Sequence, residues 1–397
     1  MRQPNCAPMG RFGRPRQPTH VIPNRTDRED SMTTGIQSLF DAFLTADHRP
    51  HRIVFPDGHD PRIVSAAAYA GSKDWVRPVL LGSRSEIEQV ADDAGASLEA
   101  VEILDPEESR QFDDYAIDFA ERRGIPLHTA RCMTTVPFYF AAMMLCSEDV
   151  DAMIAGAQCS SQEILMATDL VVGTRDDVYT PSSFVVMQIP GYAGPEGELL
   201  VLADCVVNPE PDCDTLADIA LATADTAEAV LDWDARVAML SHSTHGHPLE
   251  PRAEHVSKAV DIVRRRAPGL KIDGELQLDA ALNLAVAQKK LPFASTVAGN
   301  ANVLIFPDMN AGNIAIKMAH ELAGATLCGP VLQGFAETIG LVSRGATTRD
   351  ILGTIALTGA YATARKRPLP RIVNGTGVGV DARAAAGPGW SPRVVRV

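Results

Sequence analysis

Residues 199–203 read Leu-Leu-Val-Leu-Ala and residues 237–240 read Val-Ala-Met-Leu, with a helical pattern over residues 212–231 between them. The two apolar runs have the length of buried strands, and the spacing of apolar residues between them is typical of a helix. Strands that alternate with helices form βαβ units, in which parallel strands are covered by helices on both faces. This stretch therefore predicts an α/β fold.

The same alternation extends in both directions along the chain. We predict strands at residues 52–56, 78–81, 101–104, 152–155, 183–189, 199–203, 237–240 and 302–306. We predict helices at residues 60–71, 84–94, 111–123, 136–147, 212–231, 252–266, 279–290, 311–323 and 348–364. About 330 residues with this pattern exceed one typical domain, so we expect two α/β lobes with mostly parallel sheets. In such sheets a ligand binds beyond the carboxyl ends of the strands.

The composition excludes several classes of protein. The chain has 397 residues, of which 46% are hydrophobic and 22% charged, as in ordinary globular proteins. Its net charge is −14, and residues 32–364 alone hold 23 bases and 46 acids, a net charge of −23. So acidic a body repels nucleic acid and anionic membranes. No apolar run approaches the roughly 18 residues of a membrane span, and no apolar segment near the amino terminus predicts a secretory signal.

Both ends of the chain differ from the body. Residues 1–31 carry six arginines and three acids without apolar periodicity, so we predict a disordered extension, with Met32 a candidate start. Residues 365–397 carry seven bases and one acid and are also predicted to be a disordered tail. The seven cysteines are scattered, without a CxxC pair or zinc-type spacing, which predicts free thiols in the reducing cytoplasm.

A polar block before the last helix carries Ser343, Arg344 and Asp350. Arg344 offers a planar, charged fork that suits a phosphate or a developing oxyanion. Asp350 has the chemistry of a general base, and Ser343 that of a hydrogen-bond donor to a reacting oxygen. The spacing Thr347-x-x-Asp350 also fits a helix capping box, in which Asp350 only satisfies main-chain donors. Spacing alone favours the capping role.

A second polar block covers residues 307–317. Asn310 and Asn313 flank Gly312, where a main chain without a side chain can approach an anionic ligand. Lys317 follows Asn313 by one helical turn. The alternative is that Asn310 caps a helix and Lys317 lies on its solvated face, and the residues alone favour that alternative.

Other polar clusters favour structural interpretations. Asp273 and Glu275 point to one side of a strand, but no third carboxylate at fixed spacing supports a Mg²⁺ site. The three histidines in residues 242–247 lie in a loop with Gly and Pro and without a zinc motif, which favours a solvated loop. Cys159 follows a strand, but a lone cysteine is more often a small buried residue, so we do not predict a nucleophile there.

Several blocks of sequence, in their order along the chain, resemble those of the phosphate acetyltransferase (phosphotransacetylase) family. The resemblance runs from about residue 52 to about residue 364. Its most specific stretches are Asp204-Cys-Val-Val-Asn-Pro209, Asp225-Thr-Ala227, Arg236-Val-Ala-Met-Leu-Ser241 with Ser243-Thr244, Ile272-Asp-Gly-Glu-Leu-Gln-Leu-Asp-Ala-Ala281, Val297-Ala-Gly-Asn-Ala-Asn302, Phe306-Pro-Asp-Met-Asn-Ala-Gly-Asn313, Leu332-Gln-Gly334 and Ser343-Arg-Gly345. So many blocks in register are not expected by chance.

This resemblance implies two α/β lobes similar to those of the isocitrate and isopropylmalate dehydrogenases, with the active site in the cleft between them. Residues 32–177 together with 331–364 are then one domain, and residues 178–330 the other. It also implies a homodimer that needs no metal or bound cofactor. The implied reaction is the reversible transfer of an acetyl group between coenzyme A (CoA) and phosphate, with CoA, phosphate and acetyl phosphate as ligands.

The resemblance also assigns roles to residues. Asp350 matches the carboxylate proposed to deprotonate the CoA thiol, Ser343 a serine that holds the reacting groups, and Arg344 the cation on the phosphate and the carbonyl oxygen. With the resemblance, the catalytic role of Asp350 becomes the favoured one, and it is compatible with capping. The predicted substrate-binding residues are Cys159, Ser160, Ser161, Tyr179, Ser182, Ser183, Asn310, Asn313 and Lys317.

Some positions depart from the family's pattern. Met166 stands where the family carries an arginine implicated in anion binding, Ile316 replaces a tyrosine, and Asn300 replaces a lysine. Residues 338–342 also lack two polar side chains that usually precede the Ser-Arg-Gly block. Two alternatives therefore accompany the acetyltransferase: the same chemistry with a propionyl or butyryl group, and a sensor with a weakened site. A dehydrogenase is not favoured, because no dinucleotide fingerprint follows the first strand.

Overall fold

The structure is a computed structural model that describes residues 50–175, 178, 180–246 and 251–365. The predictions for residues 1–49, for the tail beyond Arg365, and for Tyr179 and His247 therefore lie outside the described residues. Among the described residues, no helix is both long and apolar enough to cross a membrane.

Eleven strands of the described chain form a single sheet. They are β1 (His51–Phe55), β2 (Val76–Leu81), β3 (Glu102–Leu104), β4 (Ala152–Ala155), β5 (Ser182–Gln188), β6 (Leu199–Ala203), β7 (Arg236–Leu240), β8 (Lys271–Leu276), β9 (Val303–Ile305), β10 (Thr326–Gln333) and β11 (Ile339–Leu341). Their order across the sheet is β3-β2-β1-β4-β11-β10-β5-β6-β9-β7-β8.

Most neighbouring strands are parallel, and the antiparallel pairs lie in the middle of the sheet. Strand β10 runs antiparallel to both β11 and β5, and β5 runs antiparallel to β6. The remaining pairs on both sides are parallel. The predicted α/β class with a mostly parallel sheet is therefore confirmed, and the antiparallel strands join its two halves without a gap.

Twelve α-helices of the described chain cover the sheet. They are α1 (Pro61–Ser72), α2 (Arg84–Ala94), α3 (Phe112–Arg123), α4 (Leu127–Thr134), α5 (Pro137–Cys146), α6 (Ser161–Val171), α7 (Cys213–Leu231), α8 (Pro251–Arg266), α9 (Leu278–Leu282), α10 (Leu284–Lys290), α11 (Met309–Ala323) and α12 (Thr348–Arg365). A 3₁₀ turn spans Pro106–Glu108.

Apolar runs buried on both faces explain why the strand predictions are close. Every residue of β4 is buried, as is nearly all of β6, and both strands have the predicted bounds. Helix α2 also has its predicted bounds and ends at Gly95, whose φ of +66° suits glycine. These elements bury apolar side chains against one core, so local pattern and tertiary packing agree.

Other elements differ from the predictions for identifiable reasons. Strand β10 contains Gly329-Pro330, and its register with β5 shifts between Cys328 and Val331, so its pattern is interrupted. The predicted helix over 279–290 is two helices, because the Asn283 side chain accepts hydrogen bonds from the main chain of the next helix and caps it. Helices α4 and α6, with strands β10 and β11, were not predicted as elements, whereas β8 was expected as the strand that carries Asp273 and Glu275.

The final segment of the chain returns to the first half of the sheet. Strand β11 pairs in parallel with β4, and α12 packs on β10, on α1 and on β4. We propose that residues 32–177 and 331–364 form one domain and 178–330 the other, as the strand order supports. Strand β10 spans the proposed boundary at residue 330, so the two domains share it.

Candidate active site

A cavity of about 180 Å³ opens between the two halves of the sheet. Its wall includes residues that follow three strands: Ser161 after β4, Val206 after β6 and Ser343 after β11. Helices α11 and α12 and strand β10 also contribute to it. The other lining residues are Asn313, Ile316, Lys317, His320, Glu321, Leu327, Gly329, Pro330, Leu341, Val342, Gly345, Ala346, Asp350 and Thr354.

Asp350 reaches this cavity from the first turn of α12 and is only 4% exposed. Its Oδ1 accepts a hydrogen bond from the main-chain N of Leu327 at 2.9 Å. Its Oδ2 accepts bonds from the N and Oγ1 of Thr347, at 2.8 and 2.6 Å, while Asp350 N donates to Thr347 Oγ1. Asp350 therefore completes a reciprocal helix cap and lines the cavity at the same time.

The Ser343-Arg-Gly segment forms an exposed loop between β11 and α12. Ser343 and Gly345 line the cavity, whereas Arg344 is exposed beside it. The side chain of Arg62 holds this loop, since its Nη1 donates to the carbonyl oxygens of Arg344 and Ala346 at 2.7 and 3.0 Å. The position of the loop is thus fixed through its main chain, which leaves the side chains of Ser343 and Arg344 unconstrained by that contact.

Arg62 is itself held by the carboxylate of Asp60, which follows β1. Its Nη2 lies 2.8 Å from Asp60 Oδ2. Burial tends to raise the pKa of Asp60, but the hydrogen bonds from Arg62 outweigh it, and the pKa is lowered. Asp57 accepts bonds from the main-chain N of Gly156 and of Ala157, and burial raises its pKa. Through Asp57, Asp60 and Arg62, the segment after β1 therefore ties the loops after β4 and β11 together.

Helix α11 supplies one wall of the cavity through Asn313, Lys317 and His320, which recur at helical spacing. Asn310 does not reach it and is exposed. The predicted cap at Asn310 is wrong, because the helix begins earlier and Asp308 caps it, accepting from Ala311 N at 2.9 Å.

Gly312 does not offer its main chain to an anion as the sequence suggested. A Cβ there would lie 2.7 Å from the carbonyl oxygen of Asp204 and 3.2 Å from Cys205 Sγ. The missing side chain therefore lets α11 pack directly on the turn after β6. Asn313 Nδ2 adds a hydrogen bond to the carbonyl oxygen of Cys205 at 3.3 Å.

His320 was not singled out in the sequence. Its Nε2 lies 3.1 Å from Asp350 Oδ2, although the two residues are 30 positions apart on different helices. The available signal was its helical spacing from Asn313 and Lys317, which places it on the same side of α11.

Comparisons with known proteins assign the family. Residues 39–359 match the family described as Phosphate acetyl/butaryl transferase. A phosphate acetyltransferase of Clostridium acetobutylicum is 40% identical over 310 residues, which cover 77% of this chain and 93% of the relative. That of Thermoanaerobacterium thermosaccharolyticum is 39% identical over 330 residues, covering 82% and 99%. The chain belongs to the phosphate acetyl/butyryl transferase family.

Structural similarity agrees with this assignment. The crystal structure of a phosphotransacetylase from Streptococcus pyogenes has a TM-score of 0.73 at 32% identity, covering 85% of this chain and 99% of that one. The predicted phosphotransacetylase resemblance is therefore confirmed, and with it the prediction of a transferase enzyme.

In this acyltransferase the segment Cys159-Ser-Ser161 begins helix α6. Ser160 forms a capping box with Glu163, and Ser161 lines the cavity. Cys159 is partly buried, and burial, together with the charge of Asp57, raises its pKa to about 11. A thiol so rarely ionised is a poor nucleophile, which agrees with the sequence-based expectation that Cys159 is not one.

Ser182 and Ser183 lie in the interior of the acyltransferase fold and are each 0% exposed. Ser182 Oγ accepts from Gln333 Nε2 at 3.2 Å, and Ser183 Oγ donates to Asp204 Oδ1. Asp204 accepts further bonds from the main chain of residues 206–208. Neither serine lines the cavity: Ser183 supports the turn after β6 through Asp204, and Ser182 bonds to Gln333 of β10.

Two positions that depart from the acyltransferase pattern differ in their location. Met166 is 62% exposed on α6 and does not line the cavity. Ile316 lines it and is 6% exposed. The first position thus supplies no positive charge near the site, and the second makes the wall at α11 more apolar.

The carboxylates at the end of β8 form a separate buried network. Asp273 Oδ1 accepts from His245 Nε2 at 2.9 Å and from Arg264 at 3.2 Å, and its Oδ2 accepts from Ser295 Oγ at 2.5 Å. Glu275 accepts from Ser243 Oγ and from Ser257 Oγ. Within the described residues no group of three or more candidate ligands could hold a metal ion. The structural interpretation of this cluster fits these contacts.

Proposed function

We propose that this protein catalyses the reversible reaction acetyl-CoA + phosphate = CoA + acetyl phosphate. The observation that carries the proposal is the convergence of the Asp350 carboxylate, the Ser343 hydroxyl and the Lys317 amine on one cavity. These groups come from three segments far apart in the sequence, and together they supply a base, a hydrogen-bond donor and a cation. Family membership supports the same chemistry.

Asp350 is proposed to accept the proton of the CoA thiol. A thiol has a pKa of about 8.5, and the thiolate is the nucleophile. The thiolate attacks the carbonyl carbon of acetyl phosphate, the C–S bond forms, and the C–O bond to phosphate breaks. The phosphate leaves with the electron pair, and the reverse reaction retraces these steps. Holding both substrates in the cavity makes the transfer direct, without an acyl-enzyme, metal or bound cofactor.

Positive charge at the site has to offset the acidity of the body. Arg344 is proposed to contact the phosphate and the developing negative charge on the carbonyl oxygen, with Ser343 donating beside it. Lys317 and Asn313 are proposed to bind anionic or polar parts of the substrates from α11. Since Arg62 fixes the main chain of the Ser343–Ala346 loop, the Arg344 side chain can follow the phosphate without moving the loop.

A coupled assay tests this proposal. Phosphate-dependent loss of acetyl-CoA, and its formation from CoA and acetyl phosphate, are measured for the wild type, Asp350→Asn and Arg344→Ala. We expect Asp350→Asn to lower kcat at least about 100-fold and Arg344→Ala to lower kcat/KM about 10- to 100-fold. Arg84→Ala removes an exposed arginine of α2 outside the cavity and is the matched control. Absence of wild-type turnover refutes the activity, and full activity of both site variants refutes the residue roles.

A second candidate is transfer of a longer acyl group. It is favoured by the apolar part of the cavity, which includes Val206, Ile316 and Leu341. Propionyl and butyryl phosphates are compared with acetyl phosphate at equal concentration. A higher kcat/KM for butyryl phosphate would select this candidate, and a value at least tenfold lower would exclude it.

We also propose a homodimer in which α11 contributes to the interface. Ile314, Met318 and Leu322 are 58%, 56% and 79% exposed and recur every four residues, so they form one apolar stripe. Burial of such a stripe against a second copy is favourable. Light scattering should give twice the chain mass of 42.5 kDa, and Leu322→Glu should shift the protein toward monomer. A wild-type monomer at micromolar concentration would refute the dimer.

A cytoplasmic location is proposed from the thiols. The six cysteines among the described residues are all free. Free thiols, several of them exposed or half-buried, are typical of a reducing compartment.

A further inference from the structure

Asp350 has four hydrogen-bond donors, and only one of them can change its charge. Two are main-chain N–H groups, those of Leu327 and Thr347, and one is the Thr347 hydroxyl. The fourth is the imidazole of His320, whose Nε2 lies 3.1 Å from Oδ2. Three of these bonds go to Oδ2 and one, from Leu327, goes to Oδ1, so Oδ2 is the more heavily bonded oxygen of Asp350.

Oδ2 can accept a proton only if one of its three donors withdraws or weakens. The two main-chain groups are fixed by strand β10 and by the helix cap. The Thr347 hydroxyl can rotate, since hydroxyl hydrogens are free to turn. The strength of the His320 bond depends on whether the ring is neutral or positively charged, because a charged donor binds an anion about twice as strongly.

The surroundings of His320 define its protonation states. With Asp350 ionised, Nε2 must carry a hydrogen, because two acceptors would otherwise face each other. Nδ1 lies 3.3 Å from Oε1 of Glu321, a carboxylate whose side chain is 76% exposed. The other charged groups near the cavity are Lys317 on the same helix, and Arg344 on the loop before α12. His320 therefore lies between a buried and a solvated carboxylate, with cations nearby.

We propose that His320 is a positioning residue that orients the Asp350 carboxylate and sets its strength as a base through the charge of the imidazole ring. The inference rests on the proposed role of Asp350. The neutral ring donates one hydrogen bond and leaves Asp350 able to accept the thiol proton. The imidazolium ring adds a positive charge beside Oδ2, which favours the ionised carboxylate and makes Asp350 a weaker base. Acetyl-CoA formation then falls as His320 becomes protonated.

The pH dependence of two His320 variants tests this inference. Glutamine keeps an N–H donor near the position of Nε2 but cannot titrate, and leucine removes the donor. An imidazole changes its charge between about pH 5 and 8. We expect the ratio of His320→Gln to wild-type kcat, measured from CoA and acetyl phosphate, to rise at least fivefold from pH 8 to pH 5.5. His320→Leu should lose at least tenfold in kcat at pH 8, with KM for CoA changed less than threefold.

His245→Gln is the matched control, because it removes the histidine of a His–Asp pair that does not line the cavity. Its kcat relative to the wild type should be independent of pH wherever circular dichroism shows both proteins folded. A flat ratio for His320→Gln, or a kcat of His320→Leu within twofold of the wild type, overturns the inference. If Asp350→Asn is inactive while these ratios stay flat, only this inference fails. If Asp350→Asn is fully active, the proposed base fails as well.

A measurement without turnover gives a further check. Histidine-selective ¹⁵N NMR distinguishes the two neutral ring tautomers, and we expect the Nε2–H form of His320 to dominate in the wild type at pH 8. In Asp350→Asn the amide can donate as well as accept, so the population should shift toward the Nδ1–H form. A dominant Nδ1–H form in the wild type would overturn the inference whatever the protein's activity.

Discussion

Two of the His–Asp pairs in the described part of the chain have similar geometry but different surroundings. His320 Nε2 lies 3.1 Å from Asp350 Oδ2, and His245 Nε2 lies 2.9 Å from Asp273 Oδ1. The first pair lines the cavity beside Ser343, whereas neither member of the second pair does. Asp273 is instead also bound by Arg264 and Ser295. The comparison teaches that the residue types and the distance do not define a catalytic pair, and that access to a ligand does.

The largest expected difference between the pairs is in activity. Asp350→Asn should lower kcat by about 100- to 10,000-fold, the usual contribution of a general base. Asp273→Asn should leave kcat within threefold in the folded protein, because Asp273 does not line the cavity. Steady-state kinetics of both variants under conditions where they are folded measure this contrast. Equal losses of kcat would remove the distinction between the pairs.

For the free energy of unfolding, the larger loss should come from Asp273→Asn and the smaller one from Asp350→Asn. Asp273→Asn removes the charged acceptor of His245, Arg264 and Ser295, and losing hydrogen bonds to a charged group costs about 2 kcal/mol. Asp350→Asn keeps an acceptor at the helix cap and should cost about 1 kcal/mol. Urea unfolding followed by circular dichroism measures both values. A larger loss for Asp350→Asn than for Asp273→Asn would contradict the structural role given to the β8 network.

Asp225 extends the comparison to a carboxylate that neither pairs with a histidine nor accepts a hydrogen bond within the described part of the chain. Asp225 on α7 makes no hydrogen bond within the described part of the chain, and burial, with the nearby charge of Glu228, raises its pKa from 3.8 to about 6. A raised pKa means that ionisation costs stability as the pH rises from about 4 to above 6. Asp225→Asn should therefore stabilise the protein at pH 7 by at most about 3 kcal/mol and have little effect near pH 4. An equal effect at both pH values would contradict this explanation.

The smallest effect is the pH dependence of stability through His245. The hydrogen bond that His245 donates to Asp273 raises the pKa of His245, so its stabilisation is complete below the unfolded value of about 6.5. It is lost as the pH rises through the higher folded value. Burial tends to raise the pKa of Asp273, but the bonds from His245 and Ser295 lower it. The stabilisation that ionised Asp273 provides is therefore present above about pH 4, and it is lost as the pH falls through the lowered pKa of Asp273.

His245→Gln tests this contribution. It should cost about 1 kcal/mol at pH 6 and clearly less at pH 9, a difference measured by urea unfolding at several pH values. A loss that does not change with pH would show that the imidazole charge is not part of the network.

Short-range patterns predicted much of the fold. Strands β4 and β6 had their predicted bounds because each is a continuous apolar run buried on both faces. Strand β10 was not predicted because Gly329-Pro330 interrupts it, and its neighbours on both sides hold it in the sheet. Tertiary pairing of this kind leaves no periodic signal in the segment itself.

For the site, too, features set by the local sequence were predicted, and contacts between distant segments were not. The Thr347-x-x-Asp350 spacing predicted the cap, which is observed, and the family resemblance pointed to Asp350 as the base. His320 could not be found, because its contact with Asp350 depends on how α11 packs beside α12. The cap predicted at Asn310 was wrong because the sequence pattern did not show that Asp308 caps the helix, which begins at Met309. Positions fixed by the local chain were thus predictable, and contacts between helices were not.

The strand order also bears on when the protein becomes competent during synthesis. Strands β10 and β11 are the last two along the described chain, yet they lie between β4 and β5 in the middle of the sheet. A ribosome delivers the outer strands of both halves first, and they cannot join until the last strands emerge. Asp350 follows later still, on the helix that covers this junction. A nascent chain therefore has no complete site for consuming acetyl-CoA until its synthesis has passed the final helix.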